Sequence, residues 1–217
     1  MTQIDVALTD YGLTVLCLWF TYRLWTQPQP AAAVYRWQQN LWVIFFSSLA
    51  FGSLTGGTVH GFFPEPASFE HRAMWMVTVF AIGCTAATGW LLIGTFWSNV
   101  SPLKSFWTYF AFVDFLIYAT ILIFYSHSFL VVILHYAPAM TALMIISLRF
   151  YFRTRAPSPL WVTAGLAVSF LAAFIQQTKI AVSPTYFDHN STFHAVQAVG
   201  LYLIFLGAKG LINEAKK

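Results

Sequence analysis

AMWMVTVFAIGCTAATGWLLIGTFW, residues 73–97, runs its whole length without an Asp, Glu, Lys or Arg. At about 1.5 Å of rise per residue, such a run is long enough as α-helix to cross the ~30 Å hydrocarbon core of a bilayer. It is continuously apolar rather than alternating, so a helix, which satisfies its own backbone groups, is the expected conformation and a barrel strand is not. Working outward, comparable runs fall at approximately 6–25, 41–60, 106–126, 129–150, 159–178 and 191–212. The whole composition agrees, with 59% hydrophobic, 19% aromatic and 8% charged residues and a mean hydropathy of +0.67. The expected fold is all-α, a polytopic integral membrane protein forming a single bundle of seven transmembrane helices over residues 1–217.

The connections sort the charged residues by side. Arg23, Arg36, Lys104, Arg149, Arg153, Arg155, Lys209, Lys216 and Lys217 fall by parity on one side, and Asp5, Asp10, Glu65, Glu70, Arg72, Lys179 and Asp188 on the other. The positive-inside bias then predicts the N-terminus outside and the C-terminus cytoplasmic, in a cell or inner membrane. The net charge of +4 is explained by this topology and by contact with anionic lipid, so no nucleic-acid partner is expected. The N-terminus lacks the basic start and small-residue cleavage pattern of a secretory signal. Cys17 and Cys84 lie inside apolar runs and read as packing residues, not as a disulfide or metal framework. Trp25, Trp37, Trp42, Trp97, Trp107 and Trp161, close to segment ends, read as interfacial belts.

The polar residues gather at the outward end. His60 closes the second segment, His189 and His194 open the seventh, and Gln176, Gln177, Asp188 and Asn190 lie beside them. Asn190, His194, Gln197 and Leu201 share one helical face. Ser48, Gly52 and Gly56 form a small-residue ladder that predicts close approach of another helix to the second segment. Three imidazoles are a common zinc ligand set, so His60, His189 and His194 are the candidate metal ligands. Asp188 and Glu70 are the candidate catalytic carboxylates, with Glu65 and His71 nearby. His189 and His194 within one regular helix would point ~140° apart, so shared ligation requires His189 to sit in the cap. Deeper in the bundle, His135 lies three residues before Pro138 and is expected to meet the carbonyl that the proline frees. Asp114, near the middle of the fourth segment, is expected to bond Tyr118 or a neighbouring hydroxyl.

Two segments, Gly56-Gly57-Thr58-Val59-His60-Gly61-Phe62 and Asp188-His189-Asn190-Ser191-Thr192-Phe193-His194-Ala195-Val196-Gln197, resemble the seven-helix superfamily that joins alkaline ceramidases with adiponectin- and progestin-type receptors. The resemblance implies a zinc site in which His60 matches the second-helix ligand and His194 the second of two seventh-helix ligands. It also implies hydrolysis of a lipid amide or ester entering from the outer leaflet. This chain has Gly56 where those proteins usually have serine, Asn190 at the other seventh-helix ligand position, and no third-helix aspartate. The alternative reading is a non-catalytic membrane subunit or small-molecule and lipid binder that packs against other membrane proteins. Haem ligation lacks a second matched histidine pair. A retinal protein would need a lysine in mid-membrane, whereas Lys209 lies near the cytoplasmic interface, and no half-length repeat marks a transporter.

Overall fold

The computed structural model describes residues 3–97 and 105–215. They form α1 (Ile4–Trp25), α2 (Ala33–Phe62), α3 (Phe69–Trp97), α4 (Phe106–Phe124), α5 (Phe129–Thr154), α6 (Pro157–Gln177) and α7 (His189–Glu214). Each is long and apolar enough to cross a membrane. Among the described residues the only β pairing is an isolated bridge between Ser183 and Phe187 in the α6–α7 connection. Of the basic residues that decide the expected orientation, Lys104, Lys216 and Lys217 lie outside the described residues.

Local chemistry sets the helix ends. Ser105 caps α4 by accepting from Trp107 N, and Asp188 caps α7 by accepting from Ser191 N at 2.9 Å. Pro157 opens α6, where its missing N–H costs nothing. The helix α5 stops at Arg155, whose φ of 58° is the left-handed conformation common at helix C-termini.

The largest difference from the sequence expectation is at α2, which begins at Ala33 rather than near residue 41. Its first turns hold Gln38 and Gln39, which interrupt the apolar run but are nonetheless buried and bonded. Gln38 Nε2 donates to Thr95 Oγ1 at 3.0 Å, and Gln39 Nε2 donates to the Leu24 and Gln27 carbonyls at 2.8 and 3.0 Å. Gln39 thereby closes the C-terminus of α1, whose last carbonyls have no partner within the helix. Replacing it as Gln39→Leu is expected to lower stability by about 1 kcal/mol, read by chemical unfolding in mixed micelles. Arg36, expected in the connection, is also helical, and its guanidinium bonds the Pro30 and Ala31 carbonyls. Likewise α3 starts at Phe69, which takes Glu70, His71 and Arg72 into a helix.

Six helices close a ring in the order α1, α2, α3, α5, α6, α7 and back to α1, while α4 lies outside it against α3 and α5. The α4 helix is the least buried of the seven. Aromatic rings fill the ring between α1, α2 and α7. Phe20 stacks on Phe205 at 4.4 Å and meets Phe46 edge-on at 5.2 Å. The expected α2 ladder does lie against α3, with Ser48 Oγ 3.0 Å from Thr85 Oγ1, but it is not the tightest contact of the fold. A Cβ placed on Gly52 or Gly56 would meet its nearest neighbour at an ordinary 3.5 Å. The close approach is between α6 and α7, where a Cβ on Gly165 would lie 2.5 Å from the Gly200 carbonyl oxygen.

Candidate functional site at one end of the bundle

The starts of α1, α3, α5 and α7 and the ends of α2, α4 and α6 share one end of the bundle. The α1 helix joins it through Gln3 N, which donates to the His60 carbonyl at 3.1 Å. It also joins through Asp5 Oδ2, which accepts from Asp188 N at 3.2 Å and from Ser191 Oγ at 3.0 Å. Asp5 and Asp188 therefore both sit against the opening turn of α7, where its free N–H groups and dipole favour negative charge.

Below them lies the deepest polar pair of this end. His194 Nε2 stands 3.4 Å from Asp10 Oδ1, with the two side chains only 10% and 8% exposed. Asp10 comes from α1 and rests on the glycines of α2. A Cβ on Gly57 would fall 2.9 Å from Asp10 Cβ, and one on Gly56 would fall 3.5 Å from Asp10 Oδ2. The side opposite Asp10 is taken by Thr9, whose hydroxyl is 2.9 Å from His194 Nδ1 and also within 3.0 Å of the Asp5 and Val6 carbonyls.

This geometry links the Thr9 hydroxyl to the proton position on the pair. A hydroxyl has one hydrogen. When Thr9 donates it to a backbone carbonyl, His194 donates through Nδ1 and its Nε2 faces Asp10 as an acceptor, so the proton between them belongs to Asp10. When Thr9 donates to Nδ1, the proton sits on Nε2 and is given to an Asp10 carboxylate. The first arrangement holds one proton more than the second, so the direction of the Thr9 hydroxyl is coupled to uptake or release of a proton by the Asp10–His194 pair, which can act as an acid or a base toward a group that reaches it.

The sequence-predicted residues divide around this pair. His60 is half-buried and close enough to sense the charges of Asp188 and Asp5, while His194 senses His60. His189 is the first residue of α7, with Nδ1 3.9 Å from Asp188 Oδ2, and is about one-third exposed. His71 donates through Nδ1 to the Phe63 carbonyl at 2.7 Å, which pins the α2–α3 connection. Glu70 lies exposed in the first turn of α3, and Glu65 is exposed in the connection before it. Gln176 Nε2 donates to Asn190 Oδ1 at 3.1 Å and Gln197 Nε2 to Ser169 Oγ at 3.1 Å, so both tie α6 to α7.

Among the described residues no group of three or more His, Cys, Asp or Glu side chains stands close enough to hold one metal ion. His194 faces Thr9 and Asp10 with its two nitrogens, and His189 faces Asp188. As arranged, this donor set does not fit zinc.

Asp10 and Thr9 are the residues that the sequence reading missed. Parity assigns Asp10 a side of the membrane and nothing more, yet an acid inside an apolar run, in DVALTDYGLTVLCLWF (residues 5–20), is a signal in its own right.

A second polar cluster lies deeper and on other helices. Asp114 does not bond Tyr118, and His135 does not turn to the carbonyl near Pro138. Instead Asp114 Oδ2 is 3.1 Å from His135 Nδ1 and accepts from Trp90 Nε1 at 3.1 Å. Tyr118 donates to the Val79 carbonyl at 2.7 Å and stacks on the His135 ring at 4.0 Å.

A family model described as a family of unknown function (DUF6962) matches residues 6–213, from the first turns of α1 almost to the end of α7. No curated protein and no solved structure matches the chain.

Proposed function

The chain belongs to the DUF6962 family, whose function is unknown, so its role is read from its own residues, and we propose that it is a multi-pass membrane protein that binds a lipid or small molecule carrying a cationic amine. The Asp10–His194 end of the bundle is the proposed site. The observation that carries the reading is the placement of Asp10 and His194, nine-tenths buried, beneath two further carboxylates, Asp5 and Asp188. Ionisable groups at such depth are costly in an apolar bundle and mark functional sites by default. Among the described residues no Lys or Arg lies within ion-pair distance of these three carboxylates. An incoming ammonium group brings a full positive charge to carboxylates that otherwise meet only the hydrogen-bond donors and dipole of the α7 N-terminus, at the end of the bundle that also holds His60 and His189.

Native mass spectrometry of detergent-purified protein, incubated with phosphatidylethanolamine or with phosphatidylglycerol of matched chains, tests this. Preferential retention of phosphatidylethanolamine, lost in Asp5→Asn, is the expected result. Equal retention of the two lipids would overturn it.

Hydrolysis of a lipid amide or ester is the second reading, favoured by the alignment of Thr9, His194 and Asp10 and by the resemblance of the His60 and His194 segments to the ceramidase-like superfamily. In those proteins a serine usually precedes the second-helix histidine by four residues. Here the space beside Gly56 is filled by the Asp10 carboxylate. Zinc would require His60 and His194 to turn toward a common point. Metal content of chelator-free wild type beside His60→Ala and His194→Ala decides: near-stoichiometric zinc lost from both variants supports the metal-dependent hydrolase, and its absence from wild type removes it.

A further inference from the structure

We infer that the Asp114–His135 pair is a hydrogen-bonding site for a lipophilic alcohol that reaches it from the hydrocarbon along the exposed face of α4. This site is on different helices from the Asp10–His194 pair and does not depend on the function proposed for that end.

The atoms around the pair fix its proton count. His135 Nε2 faces the Gly83 carbonyl at 3.4 Å, and a carbonyl only accepts, so Nε2 carries a proton. Nδ1 and Asp114 Oδ2 are 3.1 Å apart and would repel each other as two bare acceptors, so a second proton is assigned between them. Whether it rests on the imidazole or on the acid, the pair has no net charge, which suits its depth. The Trp90 indole also donates to Oδ2. Among the described residues the polar partners of Asp114 both meet Oδ2, and Oδ1 is an acceptor in either proton arrangement.

The surroundings of Oδ1 point to the kind of molecule that would meet it. The Asp114 side chain is 30% exposed, in the least buried helix of the bundle. Its neighbours Phe110, Val113 and Ile117 are all exposed on the same helix. In a membrane this wall faces acyl chains, which have no donor to give. The walls beside the carboxyl group are aromatic. Trp90 stacks on Trp107 at 5.9 Å and meets Phe110 edge-on at 4.8 Å. An apolar body with one hydroxyl satisfies both features: the hydroxyl donates to Oδ1 and the body lies along the rings. A molecule with a charged headgroup would be held at the interface, away from this depth.

Photolabelling in lipid nanodiscs with a diazirine-bearing hexadecanol, beside its methyl ether, tests the site. The alcohol is expected to label Phe106–Phe124 and the facing part of α3, to be competed by unlabelled hexadecanol, and to exceed the ether about fivefold, the ratio for one hydrogen bond of ordinary strength. The paired variant Asp114→Leu/His135→Leu removes both ionisable partners at once, leaves the Trp90 N–H as a donor that cannot tell the alcohol from the ether, and is expected to reduce alcohol labelling to the ether level. Equal labelling of wild type by alcohol and ether overturns the inference without any variant, and so does undiminished alcohol labelling in a folded double variant. Either result would mean that this face meets bulk lipid only.

Discussion

Gly165→Leu and Gly200→Leu are each expected to lower the apparent unfolding temperature by roughly 10 °C or to prevent recovery of folded protein, whereas Gly12→Leu is expected to leave it unchanged. The three positions are all helical glycines within apolar segments, and only their surroundings differ. A Cβ on Gly165 would lie 2.5 Å from the Gly200 carbonyl oxygen and 2.7 Å from Ile204 N. A Cβ on Gly200 would lie 2.7 Å from Ser169 Oγ and 2.9 Å from the Gly165 carbonyl oxygen. Most of these obstacles are backbone, so no rotamer change relieves them and α6 and α7 must move apart. Overpacking typically costs 1–3 kcal/mol, and more when the backbone has to shift. For a chain of this size each kcal/mol moves the midpoint by about 2–4 °C. Gly12 has nothing within 4 Å of its Cβ position and faces open space. Thermal unfolding in detergent, followed by intrinsic tryptophan fluorescence, reads all three. A Gly200→Leu midpoint equal to that of Gly12→Leu would show that the α6–α7 contact is not tight.

Those glycines also show which parts of the molecule were legible in the sequence. The seven apolar runs are local properties, and each became a helix within a few residues of its expected place, except where polar side chains concealed the first turns of α2. Helix proximity is different, because it depends on the rotation of two helices at once. The regular Ser48, Gly52, Gly56 spacing predicts a close helix contact on α2, and α3 does pack there, but Gly52 and Gly56 meet side chains at ordinary distance. The tight pair is Gly165 with Gly200, whose separation in sequence has no pattern.

The polar clusters follow the same division. That His60, Asp188, His189 and His194 belong to one end of the bundle follows from counting crossings. That Asp10 reaches His194, or that Asp114 reaches His135, depends on α1 lying beside α7 and on α4 lying outside the ring. Asp114 and His135 were each recognisable as costly residues. Their pairing was not, because nearer candidates such as Tyr118 and the Pro138 turn were equally plausible partners on spacing alone.

Breaking the Asp10–His194 pair from either side is expected to destabilise the fold by about 3–5 kcal/mol, and replacing both residues is expected to recover most of it. In Asp10→Leu, His194 keeps Thr9 on Nδ1 but loses the partner of Nε2 at a site where the side chain is only 10% exposed. In His194→Leu, the Asp10 carboxyl group remains beside Gly56 and Gly57 with neither a histidine nor enough water to solvate it. The double variant Asp10→Leu/His194→Leu leaves no orphaned group, and the glycines beneath position 10 give the new side chain room to settle. A double-mutant cycle by chemical unfolding in mixed micelles therefore expects strong non-additivity, with the double variant near wild type. Simple addition of the two single losses would mean that the residues are not coupled and would overturn the pairing. The same double variant separates structure from function. If the pair served only to hold α1 against α7, a folded double variant would retain phosphatidylethanolamine as wild type does. On the proposed function it folds and loses that lipid, because Asp5 and Asp188 remain but the buried acid and base beneath them are gone.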